Sequence, residues 1–188
     1  MRLFIGIPLS DAVARELESV CRRLRSASDG LRWTAPESWH ITLEFLGNAM
    51  PEQFARVREG LASVHSAPVP LRLGSLGVFD RAGVFIVEVE LPSELIELQK
   101  RVVAAMEQCG FAAEEEPYRP HITLARAKGD SGRRELRSLK TRMPENPRFT
   151  PFVAKEFLLY ESHLGPGGSK YEVRGRYELA SQRVPRKS

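Results

Sequence analysis

One tetrapeptide occurs twice in this chain, as His40-Ile41-Thr42-Leu43 and as His121-Ile122-Thr123-Leu124. There are four histidines in all and five threonines, so threonine two places after two of the histidines is roughly a half-percent coincidence, before isoleucine and leucine are counted. Alternate side chains of a strand share a face, with a rise of about 3.3 Å per residue. Ile41, Leu43, Ile122 and Leu124 can then face a core while His40 with Thr42, and His121 with Thr123, face one cleft. An imidazole titrates near neutrality and gives or takes a proton, and a hydroxyl beside it donates to a phosphate oxygen. Two such units facing each other make a metal-independent acid/base device around one phosphoryl group. One imidazole must be protonated while the other is neutral, which predicts a bell-shaped pH dependence about neutrality.

The elements that hold these units read as an α+β chain. Leu3 to Ile7 is a short buried strand stopped by Pro8. Ser10 or Asp11 caps a helix to about Ser26, with Val13, Leu17, Val20 and Leu24 at helical spacing. Pro51 opens a second helix to about Val64, and Pro92-Ser93 starts a third, ended by Gly110. Val69 to Val78 and Val84 to Leu91 read as strands around a turn at Asp80-Arg81-Ala82-Gly83. A basic helix near Arg133 to Arg142 precedes two closing strands, Phe152 to Leu164 and Tyr171 to Ala180. Several connections are too short for parallel crossovers, so the sheets should be antiparallel with helices packed on them.

The 188 residues, 42% hydrophobic and 28% charged, suit one domain or two packed lobes and exclude a disordered chain. No apolar run approaches the roughly 20 residues of a membrane-spanning helix. The opening apolar stretch is too short for a secretory signal, and a cytoplasmic address is expected. Cys21 and Cys109 alone make neither a disulfide framework nor a four-ligand zinc site. The net charge of +4 is modest, and the 22 arginines against 6 lysines suit phosphate, although codon composition explains such a bias as well.

The residues around the two tetrapeptides resemble the 2H phosphoesterases, named for two His-x-Thr/Ser-x motifs. Arg2-Leu3-Phe4-Ile5-Gly6-Ile7, the stretch Pro36 to Gly47 after Arg32-Trp33, and Arg119-Pro120-His121-Ile122-Thr123-Leu124-Ala125-Arg126 narrow the resemblance. It is to the bacterial and archaeal branch of RNA 2',3'-cyclic phosphodiesterases, also called 2'-5' RNA ligases. The resemblance implies a bilobal α+β fold, with two pseudo-symmetric antiparallel sheets, helices outside and a central cleft. It implies His40 as proton donor to the leaving ribose oxygen and His121 as the base that activates water. Thr42 and Thr123 would bind phosphate oxygens, no metal or cofactor would be needed, and the partners would be RNA ends or small cyclic nucleotides. Residues 1–182 would form one such domain, a monomer, with 183–188 a basic tail. A non-catalytic RNA-binding module, or a phosphodiesterase for another small cyclic nucleotide, is the alternative.

Two residues resist the pattern. Arg126 matches an arginine common after the second motif, yet strict alternation puts it on the face opposite His121 and Thr123; it serves only if the strand ends or bulges there. Glu44 shares the His40 face and would repel phosphate, so it is expected at the cleft rim or in a salt bridge. Elsewhere, Gly129-Asp130-Ser131-Gly132 reads as a flexible turn and Gly165 to Lys170 as a hairpin loop. His65 and His163 read as surface or structural residues. Arg133, Arg134, Arg137, Lys140 and Arg142 form a basic face that could steer RNA. Phe45, Trp33 and Phe79 could stack a base or belong to the core.

Overall fold

Ten strands and four helices alternate along the described part of the chain. The structure is a computed structural model, describing residues 1–26, 30–114, 116–165 and 168–180. In order they are β1 (Arg2–Pro8), α1 (Asp11–Leu24), β2 (Leu31–Trp33), β3 (His40–Asn48), α2 (Pro51–Ala62), β4 (Val69–Leu71), β5 (Leu73–Phe79), β6 (Val84–Val89), α3 (Ser93–Gln108), β7 (His121–Ala127), α4 (Gly129–Arg142), β8 (Phe152–Ala154), β9 (Glu156–Gly165) and β10 (Gly168–Glu178). The strands form two four-stranded sheets, ordered β10-β9-β1-β3 and β2-β7-β6-β5, and a two-stranded sheet of β4 and β8. Every pairing is antiparallel. The expected α+β architecture with two antiparallel sheets is therefore present.

Local chemistry accounts for the elements. The Ser10 hydroxyl accepts from the Val13 amide at 3.4 Å and caps α1, whose Val13, Leu17, Val20 and Leu24 stripe is buried. β1 reads as an unbroken apolar run because both its faces are covered: Leu3, Phe4, Ile5 and Ile7 are all buried. One continuous apolar cluster runs from Ile5, Leu17 and Phe85 in the first half to Leu98 and Leu124 in the second. Helix α3 lies against β3 as well as α2, and α4 lies against β7 and β5. The two motif strands β3 and β7 touch, so the core that locks the sheets together also fixes the spacing of the two tetrapeptides.

The structure corrects several local expectations: Phe152 to Leu164 divides at Lys155 into β8 and β9, and of the expected loop Gly165 to Lys170 the ends, Gly165 and Gly168–Lys170, belong to β9 and β10. Val69 to Val78 is not one strand: it divides at Arg72, and β4 leaves the main sheet to pair with β8. Gly129 to Gly132 is the first turn of α4 and not a free turn. The helix starts there because its end packs against the preceding strand: a Cβ on Gly132 would lie 2.9 Å from the Ala127 Cα and closer still to the Gly30 carbonyl oxygen. Cys21 and Cys109 are both buried free thiols. Among the described residues no helix is long and apolar enough to cross a membrane. The basic tail at 183–188 lies outside the described residues.

Candidate active site

Each motif histidine opens its strand, and each is held by the same local device. The ring Nδ1 of His40 donates to the Ser38 carbonyl oxygen at 2.8 Å, and that of His121 to the Arg119 carbonyl oxygen, also at 2.8 Å. A carbonyl only accepts, so Nδ1 carries a hydrogen in both rings and Nε2 is the nitrogen left to exchange a proton. Both rings line one cavity of about 370 Å³, together with Thr42, Thr123 and Arg126. All five residues singled out from the sequence thus meet in one place.

Arg126 reaches the cleft because β7 bulges. Ala125 pairs with Phe85 and Thr123 with Ile86, which leaves Leu124 without an opposite residue, and Leu124 and Ala125 are buried side by side. The extra residue reverses the alternation and returns Arg126 to the His121 face. The amide of Thr34 donates to the Leu124 carbonyl at 2.8 Å, so the bulge leaves no orphan acceptor there. β3 carries the same irregularity at the same point of its motif: Thr42 pairs with Gly6 and Glu44 with Ile5, skipping Leu43. Phe45, 53% exposed, takes in the first copy the cleft position that Arg126 takes in the second. Glu44 is turned off the His40 face. It is neither at the rim nor ion-paired among the described residues, but buried, at 5% exposure.

The surroundings of the two imidazoles differ. His40 lies in an aromatic box, with ring centroids 4.6 Å from Phe4, 5.3 Å from Tyr171 and 5.7 Å from Tyr160. Beneath it is Gly6, where a Cβ would lie 3.2 Å from the imidazole Cδ2 and 3.0 Å from the Ile41 carbonyl oxygen. His121 meets Phe79 edge-on at 4.9 Å, and the Arg119 guanidinium covers that phenylalanine at 5.0 Å. Burial pushes the His40 pKa down to about 4, helped by the charges of His121 and Arg126 and opposed by the Ser38 hydrogen bond. His121 is also pushed down, by burial first and then by Arg126 and Arg119. In the free enzyme neither ring is predominantly charged at pH 7, which moves the free-enzyme pH bell from neutrality to the acid side.

Gly6, Phe4, Tyr160 and Tyr171 were not singled out from the sequence. Only the pairing of β1 with β3 and β9 brings Phe4 and Gly6 beneath the ring. His65 and His163 are exposed and lie off the cleft; His163 pairs with Glu172 at 3.2 Å. Glu161, His163 and Glu172 could together hold a metal ion, but Arg174 already bonds Glu161 at 3.0 Å and Glu172 at 3.4 Å. On α4, Lys140 binds Asp80, Arg133 donates to the Asp80 carbonyl and Arg142 pairs with Glu135, so much of the basic face is engaged internally.

A family model described as LigT like Phosphoesterase matches the chain twice, over residues 7–86 and 87–171, one motif in each stretch. The chain belongs to the LigT-like phosphoesterase family. It is an enzyme of that family, and the resemblance carried by the paired tetrapeptides is borne out. An RNA 2',3'-cyclic phosphodiesterase of Archaeoglobus fulgidus is 28% identical over 92% of this chain and 97% of its own. One of Bacillus subtilis is 28% identical over 94% and 96%. The crystal structure of E. coli LigT complexed with 3'-AMP shares the fold, with a TM-score of 0.81 at 24% identity over 96% of this chain and 98% of that one. The double match agrees with the matched bulges: each matched stretch carries one motif strand with the same irregularity.

Proposed function

We propose that this enzyme is an RNA 2',3'-cyclic phosphodiesterase that opens the cyclic phosphate to a 2'-phosphate. The observation that carries the reading is the pair of imidazoles, each pinned through Nδ1 to the carbonyl two residues earlier, on one cavity with two threonines and an arginine. His121 Nε2 takes a proton from water as its oxygen bonds to phosphorus. The bond from phosphorus to the ribose 3' oxygen breaks, and His40 Nε2 supplies the proton that this oxygen needs. Thr42 and Thr123 hold the non-bridging oxygens, and the Arg126 guanidinium stabilises the charge that grows on them. The turnover ends with His121 protonated and His40 neutral, and solvent restores the starting pair.

A 5'-hydroxyl of a second RNA in place of water would give a 2'-5' linkage by the same two proton transfers, which is the ligation reading. The names of the relatives support the cyclic-phosphate substrate. The test uses folded His40→Ala and His121→Ala proteins on RNA with 2',3'-cyclic ends, with the product phosphate assigned to the 2' or 3' position. Each variant should lose on the order of 10²–10⁴-fold, with the phosphate left on the 2' oxygen by the wild type. Near-full activity in either variant would end the two-histidine scheme.

A further inference from the structure

A second, larger space adjoins the phosphate cleft. It is a groove of about 1140 Å³ that shares Thr42, Phe45 and His121 with the cleft. It runs between the free edge of β3, helix α3 and the β5–β6 ribbon. Its walls are partly apolar, from Val78, Ile86, Val103 and Ala104. Its charged rim is acidic: Asp80, Glu88, Glu107, Glu114 and Glu116 stand against Arg81, Lys100 and Arg119. A second phosphate is repelled there, whereas an uncharged planar group tethered to the bound phosphate is not. Phe45, half exposed where cleft and groove join, offers a ring face for stacking.

The bulge at Leu43 puts Glu44 into this groove instead of the phosphate cleft: Glu44 lines the groove and not the smaller cavity. It stands two residues beyond Thr42, at roughly 6.6 Å of strand rise. The Tyr118 hydroxyl donates to the Thr42 carbonyl at 2.9 Å and fixes the strand edge between them. We propose that this groove is the subsite for the nucleobase of the cyclised nucleotide, and that the Glu44 carboxyl selects bases carrying an exocyclic amine over uracil. The proposal rests on the cyclic-phosphodiesterase reading above and adds to it a base preference.

The chemistry follows from donor and acceptor patterns. Cytosine offers an amine N–H where uracil offers a carbonyl oxygen, and the two bases are otherwise nearly the same shape. Burial, with Glu114 and Glu107 nearby, pushes the Glu44 carboxyl up to about 7. As carboxylate or as neutral acid it keeps an acceptor oxygen for the amine. Above pH 8 the carboxylate has nothing to donate to the uracil carbonyl, and the pair is left with two facing acceptors; below pH 7 the neutral acid can donate to that carbonyl, and the preference should fade.

The experiment compares cytidine and uridine 2',3'-cyclic phosphates by kcat/KM at pH 8.5, where Glu44 is ionised, in wild type and in the isosteric Glu44→Gln, with 2'-CMP and 2'-UMP binding measured by calorimetry at the same pH. Wild type should favour cytosine about tenfold in both readouts, the worth of one such hydrogen bond. Glu44→Gln should bring the ratio near one, chiefly by gaining on uridine, because an amide both donates and accepts. An equal loss on both substrates would mark Glu44 as structural and overturn the proposal, as would a wild-type ratio near one. If wild type opens neither cyclic phosphate, the parent reading falls, and the 2'-CMP to 2'-UMP binding ratio decides the base preference separately.

Discussion

The imidazole of His40 has no room to retreat, and Gly6→Ala exploits this. The ring is packed on Phe4 at 4.6 Å and flanked by Tyr160 and Tyr171, while its Cδ2 lies 3.2 Å from where a Cβ on residue 6 would stand. Carbon atoms sit comfortably at about 3.5–4.0 Å, so the ring or strand β1 must shift by roughly 0.3–0.8 Å. The Ile41 carbonyl, 3.0 Å from the same Cβ, is backbone in the β1–β3 ladder and resists the alternative movement. A shift of this size strains the 2.8 Å bond from Nδ1 to the Ser38 carbonyl and turns Nε2 off its line to the reacting oxygen. A displacement of 1 Å costs on the order of 100-fold, so Gly6→Ala should lower kcat about tenfold, or about 1.4 kcal/mol of barrier. KM should change little, because Thr42, Thr123 and Arg126 still hold the phosphate. Overpacking should also cost about 1–3 kcal/mol of stability, visible as a lower melting temperature. Gly74→Ala is the control: its Cβ would meet Glu88 at an ordinary 3.7 Å, and activity should be unchanged. Steady-state kinetics on a 2',3'-cyclic nucleotide decides the matter. A Gly6→Ala enzyme with wild-type kcat would refute the claim that β1 positions the imidazole.

Further expectations concern charge. Because both imidazoles are depressed, kcat/KM should peak below pH 6.5 and fall as pH rises through neutrality, while kcat, read with an anionic phosphate bound, should peak at higher pH; a kcat/KM optimum above 7 would contradict the burial argument. Arg126→Ala should lower kcat by about 10²–10³-fold and Arg126→Lys by less, since lysine keeps the charge but loses the fork; equal activity in all three would remove Arg126 from the chemistry. Activity on a cyclic phosphate should survive excess chelator, and abolition by EDTA with rescue by one divalent ion would replace the acid/base scheme. Arg134 and Arg137 are exposed on α4. Replacing both with serine should reduce the salt slope for long RNA by about 1.4, about 0.7 per phosphate contact, and leave mononucleotide turnover alone.

The site was legible in the sequence because its chemistry is written locally: each copy places imidazole and hydroxyl on one strand face within three residues. Helices α1, α2 and α3 were legible for the same reason, through Ser10, Pro51 and Pro92 at their starts and apolar stripes of period 3.6, whereas the first turn of α4 was not. What depended on pairing was not. A bulge is a relation between two strands, and nothing within Leu124-Ala125-Arg126 announces that Leu124 will lack an opposite residue, so strict alternation misplaced Arg126 and Glu44 together. Gly6 and Phe4 touch His40 only through the β1–β3 ladder, across more than thirty residues of chain. The departure of β4 to pair with β8 is likewise a non-local contact.

Identical tetrapeptides take opposite parts in the proposed reaction, and the reason lies in what the two half-chains put around them. His40 is enclosed by Phe4, Tyr160 and Tyr171, so holding a proton there is costly. A group that holds its proton reluctantly is a strong acid once it has one, and the bound phosphate anion supplies the charge that lets it take one up. His121 stands among Phe79, Arg119 and Arg126, so cations as well as burial keep its Nε2 lone pair free for water. The position after the bulge differs again: in the proposed reaction Arg126 would serve the charge that builds on the phosphate oxygens, and its counterpart Phe45 opens toward the acidic groove. The two motifs supply two imidazoles held alike through Nδ1. The asymmetry that would turn them into an acid and a base is one of degree: three aromatic rings enclose His40, while His121 has one ring and faces both Arg119 and Arg126.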